Sequence, residues 1–189
     1  MKVILASKSP RRKELLGLLD LDFEIITADT DEIINPDVPV CDEVARLSLQ
    51  KAQAVSRLAK YDDVIISADT VVELDGKVFG KPKTEAEAAI MLKTLSNNTH
   101  RVFTGVTVMQ GEKVETRVVT TEVTFRAVSE KEIFDYIATG EPMDKAGAYG
   151  IQGRASKFVS RIDGDYFSVV GLPVCALSEM LKNFKIDLT

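Results

Sequence analysis

Near its start the chain runs Val3-Ile4-Leu5-Ala6 directly into Ser7-Lys8-Ser9-Pro10-Arg11-Arg12-Lys13-Glu14-Leu15-Leu16. The pattern predicts a short buried strand, a tight turn and the first turns of a helix. Ser9 is a good N-cap, and Pro10 suits the first helical position, where its missing N–H costs nothing. The cations that follow run against the usual preference, since Arg11, Arg12 and Lys13 crowd the positive end of the helix dipole. Free N–H groups at a helix start already suit an anion, and fixed cations beside them suit a polyanion. A solvated basic turn is the competing reading, because each such charge costs only about 0.3–1 kcal/mol. These residues alone leave both open.

Composition narrows the choice of partner. The formal net charge is −5 over 189 residues, so a broad electrostatic grip on a nucleic-acid polymer is not expected. Aromatic residues make up 6% with no Trp, and no stacking platform stands out. A local cationic pocket in an acidic protein better suits a small anionic ligand. Length favours a single domain over 1–189, with two lobes allowed. Cys41 and Cys175 have neither metal-ligand nor redox spacing, which points to reduced thiols in a cytoplasmic protein. No stretch is long and apolar enough to span a membrane or form a signal-peptide core. His100 is the one histidine, which rules out a multi-histidine metal site. Its setting, Asn97-Asn98-Thr99-His100-Arg101, reads as a loop entering a strand, with His100 on the surface. Chemistry must therefore rest on carboxylates, lysines or a metal held by oxygen ligands.

Along the chain, Phe23–Ala28 reads as a strand, and Asp29, Asp31 and Glu32 form an acidic loop closed by Asn35-Pro36. Such a loop is usually solvated, yet Glu32 is a candidate to reach a metal or a proton donor. A helix is predicted from about Asp42 to Lys60, with Val44, Leu47, Ala54, Val55 and Leu58 on one buried face. Lys51 sits on that stripe. An ammonium there is costly unless an anion meets it, or unless it lies at the stripe's edge and reaches water. Val64–Val72 is a β-rich run interrupted by Asp69, a residue depleted in strands. Asp69 is either a backbone-bonding residue at a bend or a stiffly held base or metal ligand, and the second reading is favoured. Asp75-Gly76 marks a hairpin that returns to Gly80-Lys81-Pro82. Lys81 then projects from a loop, as a ligand group or simply an exposed charge.

Two capping boxes, Thr84 with Glu87 and Ser129 with Glu132, open helices. Strands are predicted at Val102–Met109, Val114–Phe125 and near Tyr166–Val170, and a last helix from Pro173 to about Phe184. The segment Asp144–Gly153 is glycine-rich but is neither a dinucleotide fingerprint nor a P-loop. Its Gln152 is suited to reading a base edge by hydrogen bonds.

Taken together, Ser7-Lys8-Ser9-Pro10-Arg11-Arg12, Lys51, Ala68-Asp69-Thr70, Gly80-Lys81-Pro82 and Asp144–Gly153 resemble the Maf family of nucleoside triphosphate pyrophosphatases over essentially the whole chain. The resemblance implies an elongated α/β fold, a mixed β-sheet flanked by helices with two lobes around a cleft. It also implies a cytoplasmic enzyme that uses a divalent cation, Mg²⁺ or Mn²⁺, to split a nucleoside triphosphate into monophosphate and pyrophosphate. Arg12, Thr70 and Gln152 match the specificity positions of the branch that hydrolyses dTTP and UTP. Asp69 is then the proton acceptor, and Asp69 and Glu32 are the candidate metal ligands. Arg11, Lys51 and Lys81 neutralise the triphosphate, which Ser9 and the first helix's N–H groups cradle. A homodimer is allowed. A non-catalytic nucleotide- or partner-binding regulator of septum formation is the alternative, and a purine-directed house-cleaning enzyme a third.

Overall fold

The structure is a computed structural model that describes residues 1–31, 33–35 and 37–188. Its strands are β1 (Val3–Leu5), β2 (Phe23–Ile25), β3 (Val64–Leu74), β4 (Lys77–Phe79), β5 (Thr99–Gln110), β6 (Lys113–Phe125) and β7 (Val159–Asp163). Its helices are α1 (Pro10–Gly17), α2 (Val40–Ser56), α3 (Glu85–Leu95), α4 (Glu130–Ile137), α5 (Tyr166–Val170) and α6 (Val174–Asn183). Among the described residues the strands form one mixed sheet in the order β2-β1-β3-β5-β6-β7, with β4 paired to β3. β1 is parallel to both β2 and β3, while β4 and β7 join antiparallel to β3 and β6. The chain divides into two compact units. The first is Met1–Asp69, Thr104–Val119 and Gly171–Thr189; the second is Thr70–Phe103 and Thr120–Val170.

In the first unit β1 lies between β2 and β3, which explains its unbroken apolar run: Ile4 and Leu5 are fully buried. Helix α2 buries Val44, Leu47, Ala52 and Val55. Fully burying each Val or Leu stabilises by about 1.5–3 kcal/mol. Together they outweigh the missing side-chain cap at Pro39, worth about 1 kcal/mol. The helix stops at Ser56, earlier than its apolar spacing suggests, so Leu58 is exposed rather than part of the buried face. Three contacts draw α2 onto the sheet. Ser48 Oγ pairs with Thr107 Oγ1 at 2.8 Å, and Ser67 Oγ donates to the Ser48 carbonyl at 2.6 Å. Gly105 of β5 lies directly under Val44, where a Cβ would come within 2.6 Å of the Val44 carbonyl oxygen.

In the second unit the predicted hairpin is present, with Asp75 and Gly76 both at positive φ as a type I′ turn requires. Buried Glu73 accepts from the Gly76 N–H at 2.5 Å and pairs with Arg101 at 2.8 Å. Burial pushes its carboxyl up, but Arg101 and the Gly76 N–H win and hold it below the usual range. Both predicted caps form. The Ser129 box is reciprocal, whereas Glu87 sends its return bond to the Lys83 N–H instead of to Thr84.

Two further expectations differ from the structure. Tyr166–Val170 is the short helix α5, because Asp165 Oδ1 accepts from the Phe167 and Ser168 N–H groups and starts a helix where β-forming side chains suggest a strand. The strand lies just upstream, as β7. His100 is not a surface residue: it is the second residue of β5 and 1% exposed, packed edge-on against Phe125 and Tyr149.

Candidate active site

β1 hands the chain to α1 through a turn held by side chains. Ala6 still bonds the Ile66 carbonyl at 2.7 Å, after which the Ser9 N–H donates to Ser7 Oγ at 3.2 Å. Ser9 then caps α1, accepting from the Arg12 N–H at 3.5 Å. Arg12 is oriented by donating from Nε to the Gly171 carbonyl at 2.8 Å and from Nη1 to Ser7 Oγ at 3.4 Å. Arg11 beside it is half-buried. This turn lies beyond the carboxyl end of a parallel strand, the usual place for ligands on an open α/β sheet.

β3 runs parallel to β1 with Leu5 level with Ile66. Ser67 and Asp69 therefore lie one and three residues past the point where β1 ends, and on one face of the strand. Their partners on α2 are spaced to match. Ser67 bonds the backbone of Ser48, and Asp69 Oδ1 pairs with Nζ of Lys51, three residues further along the helix. The side chains of Lys51 and Asp69 are 13% and 9% exposed. The lysine on the apolar stripe is thus met by an anion and does not reach outward to water, and the acid inside the strand is held by a cation.

Sequence reading missed Glu43 and Arg46 on the same helix, although opposite charges three apart are a recognisable helical pair. Glu43 is almost fully buried. Its Oε2 lies 2.8 Å from Arg46 Nη2 and accepts from the Asn35 N–H at 2.9 Å. Arg46 in turn donates to the Ile33 carbonyl at 2.7 Å. Arg46, then the Asn35 N–H, hold the Glu43 carboxyl below its ordinary range. Glu43 raises the Arg46 guanidinium, with a smaller contribution from the charge of Asp69. The pair therefore ties residues 33 and 35 to α2. Glu32, the expected metal ligand between Asp31 and Ile33, lies outside the described residues.

The remaining candidates belong to the second unit. Thr70 is half-buried next to Asp69 in sequence, and Lys81 is exposed in the loop after β4. Gly147 bonds the Gly80 carbonyl at 3.1 Å, which tethers the glycine-rich segment to the loop bearing Lys81. Gln152 is exposed in a turn closed by the Gly153 N–H on the Gly150 carbonyl at 3.0 Å.

Comparison with known proteins gives the family of the chain. The family described as Maf-like protein matches residues 2–184. The dTTP/UTP pyrophosphatases of Bacillus mycoides (strain KBAB4) and Bacillus cereus (strain AH187) are each 50% identical to the chain over 188 residues, covering 100% of it and 98% of their own lengths. A HAM1 protein from Coxiella burnetii shares the fold, with a TM-score of 0.52 at 15% identity over 97% of this chain and 99% of that one. With the family matched almost end to end and relatives half-identical along the full length, the chain belongs to the Maf family.

Proposed function

We propose that the protein is a nucleoside triphosphate pyrophosphatase that hydrolyses dTTP and UTP to the monophosphate and pyrophosphate, in the cytoplasm, as a nucleotide-pool house-cleaning enzyme. The observation that carries the reading is the Lys51–Asp69 pair, whose Asp69 lies on β3 three residues past the level at which β1 hands the chain to the cationic start of α1, in a chain half-identical to dTTP/UTP pyrophosphatases. Water must attack a phosphorus surrounded by negative charge, so positioning and charge neutralisation do most of the work. Arg11, Lys51 and Lys81 neutralise the triphosphate, while Ser9 and the N–H groups of α1 cradle it.

Lys51 is paired with Asp69. Phosphate oxygens compete for that ammonium, which leaves Asp69 able to accept a proton from the attacking water. The water oxygen bonds to a phosphorus flanking the α–β bridge, its proton passes to Asp69, and the bridging P–O bond breaks with its electrons on the leaving group. Arg12, Thr70 and Gln152 select the base, the neutral amide of Gln152 both donating and accepting at a pyrimidine edge.

A hard divalent cation fits the donor chemistry. Among the described residues no group of three or more His, Cys, Asp or Glu stands ready as a cage. Mg²⁺ is commonly held by one or two carboxylates plus substrate phosphates, a role open to Asp69 and Glu32. The cation would supply charge neutralisation on the phosphate oxygens.

Incubating the protein with dTTP, UTP, CTP, GTP and ITP in Mg²⁺ or Mn²⁺ tests the reading. Pyrophosphate release from dTTP and UTP is expected, and Asp69→Asn should stay folded, with reduced stability, yet lose turnover. Release from no nucleotide would favour a non-catalytic regulator, and preference for ITP a purine-directed enzyme.

A further inference from the structure

The turn Gly150-Ile151-Gln152-Gly153 is fastened at its first residue and just past its last by side chains that the proposed chemistry does not use. The Gly150 N–H donates to the Tyr136 hydroxyl at 3.2 Å, and that hydroxyl donates to Glu141 Oε1 at 2.9 Å. The same carboxylate accepts from the Arg154 N–H at 3.1 and 3.0 Å, so it grips the turn from the far side. Gly153 leaves room for it: a Cβ there would overlap the Glu141 carboxylate. The Lys145 stem closes over Gly150 in the same way, its Nζ donating to the Glu141 carbonyl at 2.7 Å. Beneath the turn, Tyr136 stands edge-on to Phe158, and Ile151 is buried. One step before the turn, the Tyr149 hydroxyl is 2.8 Å from His100 Nε2. Within this frame Gln152 alone of the four turn residues is exposed.

We propose that Tyr136 and Glu141 are positioning residues for base selection: they lock the turn so that Gln152 is presented to the pyrimidine from a fixed backbone position. The inference rests on the dTTP/UTP reading above and assigns part of the selection to a rigid turn that sets where the Gln152 side chain starts. A fixed backbone narrows the positions from which the Gln152 amide meets a base edge, so fewer bases satisfy both its donor and its acceptor. Pre-organisation of this kind is expected to appear in KM and in substrate preference more than in kcat.

The test is steady-state kinetics with dTTP, UTP and CTP on wild type, Tyr136→Phe, Glu141→Gln, Gln152→Ala and the Tyr136→Phe/Gln152→Ala double variant. Tyr136→Phe keeps the ring packing and removes both hydroxyl bonds. It should lower the dTTP-over-CTP ratio of kcat/KM by about fivefold to tenfold, mainly through KM, as loss of about one hydrogen bond implies. Glu141→Gln keeps an acceptor oxygen and should retain the wild-type ratio, and the double variant should match Gln152→Ala alone. Glu141→Ala, which removes the acceptor, should show the same loss as Tyr136→Phe and serves as the second arm if that variant fails to fold. A ratio moved by Gln152→Ala but not by Tyr136→Phe overturns the clamp alone. So does a Tyr136→Phe effect that persists undiminished in the Gln152→Ala background. A wild type without dTTP preference, or a ratio indifferent to Gln152→Ala, overturns the underlying reading of specificity instead.

Discussion

Burial of His100 makes the stability of the fold depend on pH in a window set by one side chain. The ring is 1% exposed, and burial pushes it from about 6.5 down to about 4. Its Nε2 meets the Tyr149 hydroxyl, and its Nδ1 has no hydrogen-bond partner among the described residues. Burial also raises the Tyr149 hydroxyl above its ordinary value, so that group stays protonated and adds no charge. A base whose folded value is depressed is neutral in the native state, while the unfolded chain takes up a proton below about pH 6.5. In that window the unfolded state holds more protons, so stability rises with pH and is lost as pH falls. Integrating between the two values gives a loss of about 2 kcal/mol on going from pH 7 to pH 5, and about 3.4 kcal/mol once pH lies well below 4. Urea unfolding of wild type and His100→Gln at pH 7, 6 and 5 isolates the effect, because every carboxylate is common to both proteins. The stability difference between them should shift by about 2 kcal/mol against wild type over that range. A difference constant within about 0.5 kcal/mol would refute the argument, since it would mean the ring is already charged inside the fold.

Other perturbations probe the elements that hold the candidate site. Lys51→Met leaves a nearly buried Asp69 without its ammonium, and breaking such a pair costs about 3–5 kcal/mol. The low end is expected because the charge of Arg46 also acts on Asp69; urea unfolding that matches wild type would discard the pairing. Gly105→Ala should lower stability by about 1–3 kcal/mol, since its Cβ meets the Val44 backbone at 2.6 Å and something must shift. Because α2 also carries Lys51, dTTP turnover should fall with it. Melting at the wild-type temperature would show that α2 does not sit as close to β5 as the geometry requires.

How much of this could be read in the residues depended on whether the signal was local. The strand–turn–helix start was legible because Ser9 and Pro10 each satisfy a one-residue rule, and Ser9 does cap α1. The hairpin at Asp75-Gly76 and the Ser129 cap were legible for the same reason. Lys51 and Asp69 were legible as two separate anomalies, each costly where it stood. That they answer one another was not, because the match of a two-residue period on β3 with a three-residue step on α2 exists only once the helix lies on the strand. His100 was misread because its neighbours in sequence are polar, while its neighbours in space are Phe125 and Tyr149. α5 was misread because Val and aromatic side chains favour strands, and the deciding group, Asp165, stands just outside the run it governs. Glu141 gave no signal at all. In sequence it is a charged residue between Gly140 and Pro142; in the fold it accepts hydrogen bonds from Tyr136 and Arg154 and fills the space a Gly153 side chain would need. Sequence therefore exposes a candidate residue when its presence carries a local cost, as at Asp69, and hides it when its partners are distant, as at Glu141. The charged candidates Lys51 and Asp69 belong to the first kind, because each is costly where it stands until the other meets it. Glu141 belongs to the second, because the Tyr136 hydroxyl and the Arg154 N–H reach it only once the chain has folded.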